Sequence, residues 1–221
     1  LAPDADSPVI DARLVFPVGS AHEPRDRPYL ATAAARLLSY DLEGYYDARM
    51  LNKLDWALSR GTEYDAAVGE TATMFAVRGM AHWADWHVWM LSWLLDQGRY
   101  NATTIEALHD AARAQGGDEE EMDPVARAFL SRLFGAGHPY AVPDPKRGAA
   151  FLRIGADDLE RWRERYFRAR GATLVVSGGF DVAAMKRVID ELFGPWSGAE
   201  PAVLPFVPPA RPAKGPTWLA A

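Results

Sequence analysis

Apolar positions along the chain fall into a few short runs, several helical stretches and a polar, proline-rich end. Ala12 to Val18 is a short apolar run closed by Gly19-Ser20, which predicts a strand followed by a turn. Pro28 to Leu42 is rich in Ala and Leu, with Pro28 where a first helical turn tolerates it, so a helix is predicted there. A second helix is predicted over Asp47 to Leu58, stopped near Gly61. Thr62 to Ala67 and Ala72 to Arg78 are short β-prone runs around Gly69, the pattern of an antiparallel hairpin. Met80 to Gln97 is the most apolar helical stretch, and Trp83, Trp86, Trp89 and Trp93 recur on it at offsets of three and four. Such a stripe reads either as a platform for an aromatic ligand or as part of a buried core helix. The second is the expectation.

Beyond it, Thr104 to Ala114 reads as helix, and the acid run Asp118 to Glu121 as a solvated helix end or loop. Asp123-Pro124 restarts a helix that reaches Phe134, and a Gly- and Pro-containing loop fills Gly135 to Gly148. Asp157 to Arg168 predicts a charged amphipathic helix, Ala172 to Ser177 a strand of buried type, and Val182 to Phe193 the last helix. Residues 1–10 read as a leader, 11–198 as the folded domain and 199–221 as a proline-rich linker towards a second half. The order of elements lacks a regular βαβ alternation and predicts an α+β domain with helices on one sheet face.

Composition narrows the chemistry. A chain of 221 residues suits one large domain with a core of its own. There is no cysteine, which removes disulfides, thiolate metal sites and a Cys nucleophile. A net charge of -6 does not favour nucleic acid or an anionic membrane as partner. No apolar run reaches the roughly 18 residues a bilayer-spanning helix needs. Walker, Gly-x-Gly-x-x-Gly and Gly-x-Ser-x-Gly patterns are absent from the sequence. His82 and His87 stand five apart, about 140° around a helix, and do not face a common metal. Asn101-Ala102-Thr103 is a formal glycosylation sequon of a kind that arises by chance. A start at Leu1 and the lack of cysteine are compatible with an exported, for example periplasmic, location and with an excerpt of a longer chain.

Several segments, taken in order, resemble a known family. Val15-Phe16-Pro17-Val18-Gly19-Ser20-Ala21, with Glu23 after it, is similar to a strand and Gly-Ser turn. Asp65 to Phe75 resembles Asn-Ala-x-Thr-x-x-Asp-x-Thr-x-Tyr through Ala66, Thr73 and Phe75, while Asp65 and Thr71 depart from it. Leu133-Phe134-Gly135 with His138-Pro139-Tyr140, Asp157-Asp158-Leu159 opening a helix that ends at Tyr166, Leu174 to Asp181, and Phe193-Gly194-Pro195-Trp196 match in order. From Asp11 to Trp196 the chain thereby resembles the insulinase-like peptidases, which include pitrilysin and the mitochondrial processing peptidase.

The resemblance implies a largely antiparallel sheet of about six strands with helices on one face, as in one half of a clamshell. It also implies a zinc site, His-x-x-Glu-His on the first helix, with a Glu from a later helix. Histidines four apart clamp the metal, and the intervening Glu takes a proton from its water. Tyr29-Leu30-Ala31 aligns with the family's lead-in, which places Thr32 and Arg36 at the two His positions and Ala35 at the base. The third ligand falls near Gln115. Arg36 is a permanent cation with no acceptor, and Ala35 cannot take a proton. No histidine lies between His22 and His82, so a shift of one residue restores nothing. The expectation is a non-catalytic domain without zinc that binds an extended peptide or a catalytic partner half or subunit. In the family the strand matching Asp65, Ala66, Ala67 and Val68 receives the peptide. The alternatives are an active zinc endopeptidase with an unrecognised metal site and a purely structural subunit of a larger complex.

Overall fold

The structure is a computed structural model that describes residues 1–44, 61–97, 100–114, 124–135, 138, 140 and 147–198. The helix predicted over Asp47 to Leu58, the acid run Asp118 to Glu121 and Gln115 lie outside these residues. In chain order the elements are β1 (Ala2–Pro3), β2 (Val9–Phe16), α1 (Leu30–Gly44), β3 (Glu63–Val68), β4 (Thr73–Met80) and α2 (Ala84–Gln97). They continue with α3 (Ala102–Ala114), α4 (Pro124–Phe134), α5 (Arg147–Phe151), α6 (Ala156–Tyr166), β5 (Thr173–Gly178) and α7 (Val182–Phe193). Among the described residues the sheet has five strands in the order β1-β5-β2-β4-β3. The β2–β4, β2–β5 and β3–β4 pairs are antiparallel, and only the short β1–β5 pair is parallel. The α+β class with a largely antiparallel sheet is as expected.

Alternation along β2 sets the two faces. Ile10, Ala12, Leu14 and Phe16 are at most 1% exposed, whereas Asp11, Arg13 and Val15 between them are half-buried on the opposite face. Phe75 and Val77 of β4 extend the buried face, and α1 and α2 pack over it. On the other face Asp11 joins Arg13 at 2.7 Å and its cross-strand partner Arg78 at 2.7 Å, which closes a charged cluster on open sheet. The Arg13 bond holds the Asp11 carboxyl below its usual range.

The motif segments have packing roles. Asp181 accepts the Ala184 N–H at 2.7 Å and caps α7. Trp196 sets its ring 5.9 Å from Phe16, and Phe16 also packs on Phe75 and Phe167. Gly19 lets the turn after β2 close onto the β3–β4 turn, where Ser20 and Ala21 donate to the Gly69 and Glu70 carbonyls. A Cβ at Gly19 would sit 2.1 Å from the Gly69 oxygen.

Three expectations shift. Residues 1–10 are not a detached leader, because Ala2–Pro3 pairs with β5 and β2 begins at Val9. That pairing is main chain to main chain, so no side-chain pattern announces it. Met80 ends β4 rather than opening a helix, and α2 starts at Ala84 after a 3₁₀ turn. Finally, α2 is a core helix, but its tryptophans are not the buried face. His87, Val88, Leu91 and Leu94 are at most 1% exposed, while Trp86, Trp89 and Trp93 are half-buried along its flank and Trp83 is half-buried in the 3₁₀ turn before it. Indoles are too large to sink wholly where β-strands approach this closely, and Trp86, Trp89 and Trp93 instead form a tilted ladder with centroids 6.4 and 6.2 Å apart.

His87 shows how close that approach is. A Cβ added to Gly79 in β4 would lie 2.1 Å from His87 Nε2. Gly79→Ala should therefore destabilise the fold by about 1–3 kcal/mol through forced displacement of a buried ring. Chemical denaturation measures this, and a loss below about 0.5 kcal/mol would mean the ring moves aside freely.

Candidate functional site

The helix that would carry the chemistry, α1, begins in an unusual way. Tyr29 stands at the helix start with φ +64, a left-handed conformation uncommon outside glycine, and its carbonyl accepts the Ala33 N–H at 2.9 Å. Tyrosine cannot cap the first turn as Ser or Asp would. Glu23 supplies the cap from the preceding loop, accepting the N–H groups of Tyr29 and Ala31 at 2.8 Å each. This is why the helix starts at Leu30 and not at Pro28. Burial pushes the Glu23 carboxyl up to about 7, with the two backbone donors pulling in the opposite direction. In the sequence Glu23 stands out only as part of the segment that resembles the family's strand and Gly-Ser turn. An acid ahead of a helix that lacks a capping side chain was the available signal.

Along α1, Thr32 is half-buried and Arg36 exposed, one turn apart on the outer side. Ala35 is 0% exposed, as are Ala31, Ala33 and Ala34. If the resemblance aligns these positions with the family's ligands and base, a hydroxyl, a guanidinium and a methyl stand there, and such groups do not fit a zinc ion. A carboxylate at position 35 would enter a packed interior rather than face a metal-bound water.

The histidines are each engaged elsewhere in the structure. His87 holds Nδ1 2.6 Å from the Trp83 carbonyl and Nε2 3.2 Å from Thr62 Oγ1, so the ring donates at Nδ1 and accepts at Nε2. Burial lowers its pKa. His22 accepts the Gly19 N–H at 3.2 Å, and its pKa is also lowered by burial. His138 accepts the Tyr140 N–H at 3.1 Å and stacks on Phe134 at 4.6 Å. His109 Nε2 meets the Ile154 carbonyl at 3.0 Å, and His82 is exposed beside Trp83. Among the described residues no three His, Asp or Glu side chains converge on a point that could hold a metal.

Asp65, Ala66, Ala67 and Val68 all lie in β3, an edge of the described sheet. The register tells which of them present free ladder positions. Gly69 donates its N–H to Ala72 at 2.8 Å, directly beyond the Val68–Thr73 pair. Antiparallel alternation then turns the N–H groups of Asp65 and Ala67 towards β4, and those of Ala66 and Val68 away from it. The four predicted residues are thus together, but only two aim main-chain donors outward. A concavity of about 850 Å³ lies on the helical side among Trp89, Trp93, Arg163, Phe167, Arg168 and Trp196. It gathers half of the tryptophan stripe and lies apart from α1's outer side.

The Glu23 cap makes stability pH-dependent in a definite direction. With the folded pKa raised from 4.5 to about 7, protonation favours the folded state. The contribution is complete below pH 4.5, declines as pH rises through the window to about 7, and is flat above it. Its full size should be about 1–3 kcal/mol. Denaturation at stepped pH measures the slope, and Glu23→Gln should remove most of it. An unchanged slope in that variant would locate the titration elsewhere.

Residues 153–218 match the family model described as the peptidase M16 inactive domain. No curated protein sequence is matched by this chain. Among solved structures, the peptidase M16 inactive domain from Pseudomonas fluorescens superposes with a TM-score of 0.76 at 17% identity, covering 96% of this chain and 51% of that one. The first half of the periplasmic protease PqqL from Escherichia coli gives 0.74 at 12% identity, over 94% of this chain and 45% of that one. Pitrilysin gives 0.74 at 16% identity, over 93% of this chain and 23% of that one. The chain spans about half the length of the first two. Its fold is that of about half of the M16 chains it superposes on, its residues 153–218 carry the M16 inactive-domain pattern, and its sequence contains no His-x-x-Glu-His.

Proposed function

We propose that this chain is a non-catalytic insulinase-like domain that works without zinc and holds an extended peptide, or a catalytic partner half, for an activity carried elsewhere. The observation that carries the reading is the state of α1. Thr32 and Arg36 occupy the outer side of the first helix, and Ala35 is enclosed, so the helix offers neither ligand nor base. A fold that keeps its hairpin, its edge strand and its capped first helix while lacking the reactive groups suits holding rather than cutting.

The peptide-holding role rests on β3. An extended peptide could add to this edge through main-chain bonds, which need no metal and little sequence specificity. Ala66 and Val68 would donate to it and Asp65 would face solvent beside it. The chain's net charge of -6 and the exposed Glu63 and Asp65 favour a basic or neutral peptide.

The register identifies the substitution that separates binding from folding. Proline at Ala66 removes an outward donor, which an edge strand tolerates, while proline at Ala67 would break the bond to β4. Ala66→Pro should leave the melting temperature nearly unchanged and weaken binding of labelled extended peptides about tenfold, the worth of one or two backbone bonds. Fluorescence anisotropy reads the affinity. Equal binding by the variant and the parent would remove β3 from the account.

A further inference from the structure

α4 carries an exposed apolar stripe. Val125, Phe129 and Leu133 are 45, 54 and 38% exposed. Their spacing of four aligns them along one side of the helix. Every other described helix packs closely on another described helix or strand, and α4 on none. At its C-terminal end Phe134 stacks on His138 and stands edge-on to Tyr140 at 5.4 Å, both in the segment that follows the helix.

The other exposed apolar residues do not gather in this way. Val9 and Met80 pair across β2 and β4 on the open sheet face, and the Asp11–Arg13–Arg78 cluster separates that pair from Val175. Leu1, Leu152 and Val182 are single. Scattered apolar side chains are ordinary at a surface, whereas an aligned set marks a contact. Residues at i, i+4 and i+8 are also the anchors by which an amphipathic helix enters a groove.

We propose that the Val125–Phe129–Leu133 face of α4 is the docking surface for a second insulinase-like domain, an inference that rests on the partner-holding reading above. The occupant follows from length and charge. The matched Pseudomonas and PqqL chains are covered to only 51% and 45%, so a comparable length of chain remains to be placed beside a domain of this kind. A second copy of this chain fits less well. α4 carries exposed Arg132 and no acid, so a symmetric α4–α4 contact would set like charges together. The partner surface should therefore be an apolar groove with acidic residues at its rim.

The test is photo-crosslinking in the full-length protein in its own host, with p-benzoylphenylalanine at position 129 and, as controls, at 152 and 175. Crosslinks from position 129 should map, by mass spectrometry, to an insulinase-like domain outside residues 1–221, and the controls should give few or none. Crosslinks from 129 to a second copy, to residues 1–221 of the same molecule, or to a protein of another fold would overturn the inference. Capture of an insulinase-like domain from 152 or 175 but not from 129 would leave the partner reading standing and remove α4 from it. If no position captures such a domain, the partner reading itself fails. The double variant Phe129→Ser, Leu133→Ser supplies a second measurement. It should melt as the parent does and abolish the crosslink to that domain from p-benzoylphenylalanine at position 125, and an undiminished crosslink would contradict the proposal.

Discussion

The close seat of α1 on the sheet is the constraint on which the rest depends. Ala31, Ala33, Ala34 and Ala35 are all 0% exposed, and they let the helix backbone sit low among β3, β4 and the neighbouring helices. Tyr100 reaches across to donate its hydroxyl to the Ala34 carbonyl at 2.9 Å, a contact that a bulkier helix face would prevent. The helix is then held at its start by Glu23, which satisfies two of the N–H groups that a helix N-terminus leaves unpaired. A carboxylate there also meets the positive end of the helix dipole. Its partial burial is the cost, and it appears as a raised pKa.

That seat has a chemical consequence. A hydrolytic zinc helix must expose two imidazoles and a carboxylate to a common point outside the core. Here the outer side offers Thr32 and Arg36, and position 35 is packed over. The scaffold and the reactive groups are therefore separable. β2, the β3–β4 hairpin, the Asp181 cap and the Trp196–Phe16 contact hold the architecture through strand pairing, a capping bond and ring packing. What remains available for function is surface: an edge strand with outward donors and an exposed helix stripe.

Local signals account for what could be read in the sequence. α7 was legible residue for residue, because Asp181 caps it and Gly194-Pro195 ends it. The hairpin was legible because its β-prone runs flank Gly69. Long-range relations were not. The Glu23 cap joins residues six and eight apart across a bend, and Tyr29 adopts a conformation that no residue-type preference favours. Helical periodicity put the four tryptophans on one side of α2, but it could not say that His87, Val88 and Leu91 would be the side that sinks. β1 pairs through two residues without any apolar pattern. The edge position of Asp65 to Val68 came from resemblance to a family, since strand order is a property of the whole sheet and not of the strand.

The central claim is that this domain carries no catalytic metal, and elemental analysis of the purified full-length chain tests it most directly. The protein is prepared without chelator or metal-affinity steps and its zinc content is compared with that of a chelator-treated sample. The account predicts far less than one zinc per chain in both, with the same melting temperature, because a metal that binds only the folded state would raise it. One tightly held zinc per chain, with a melting temperature that falls on chelation, would contradict it.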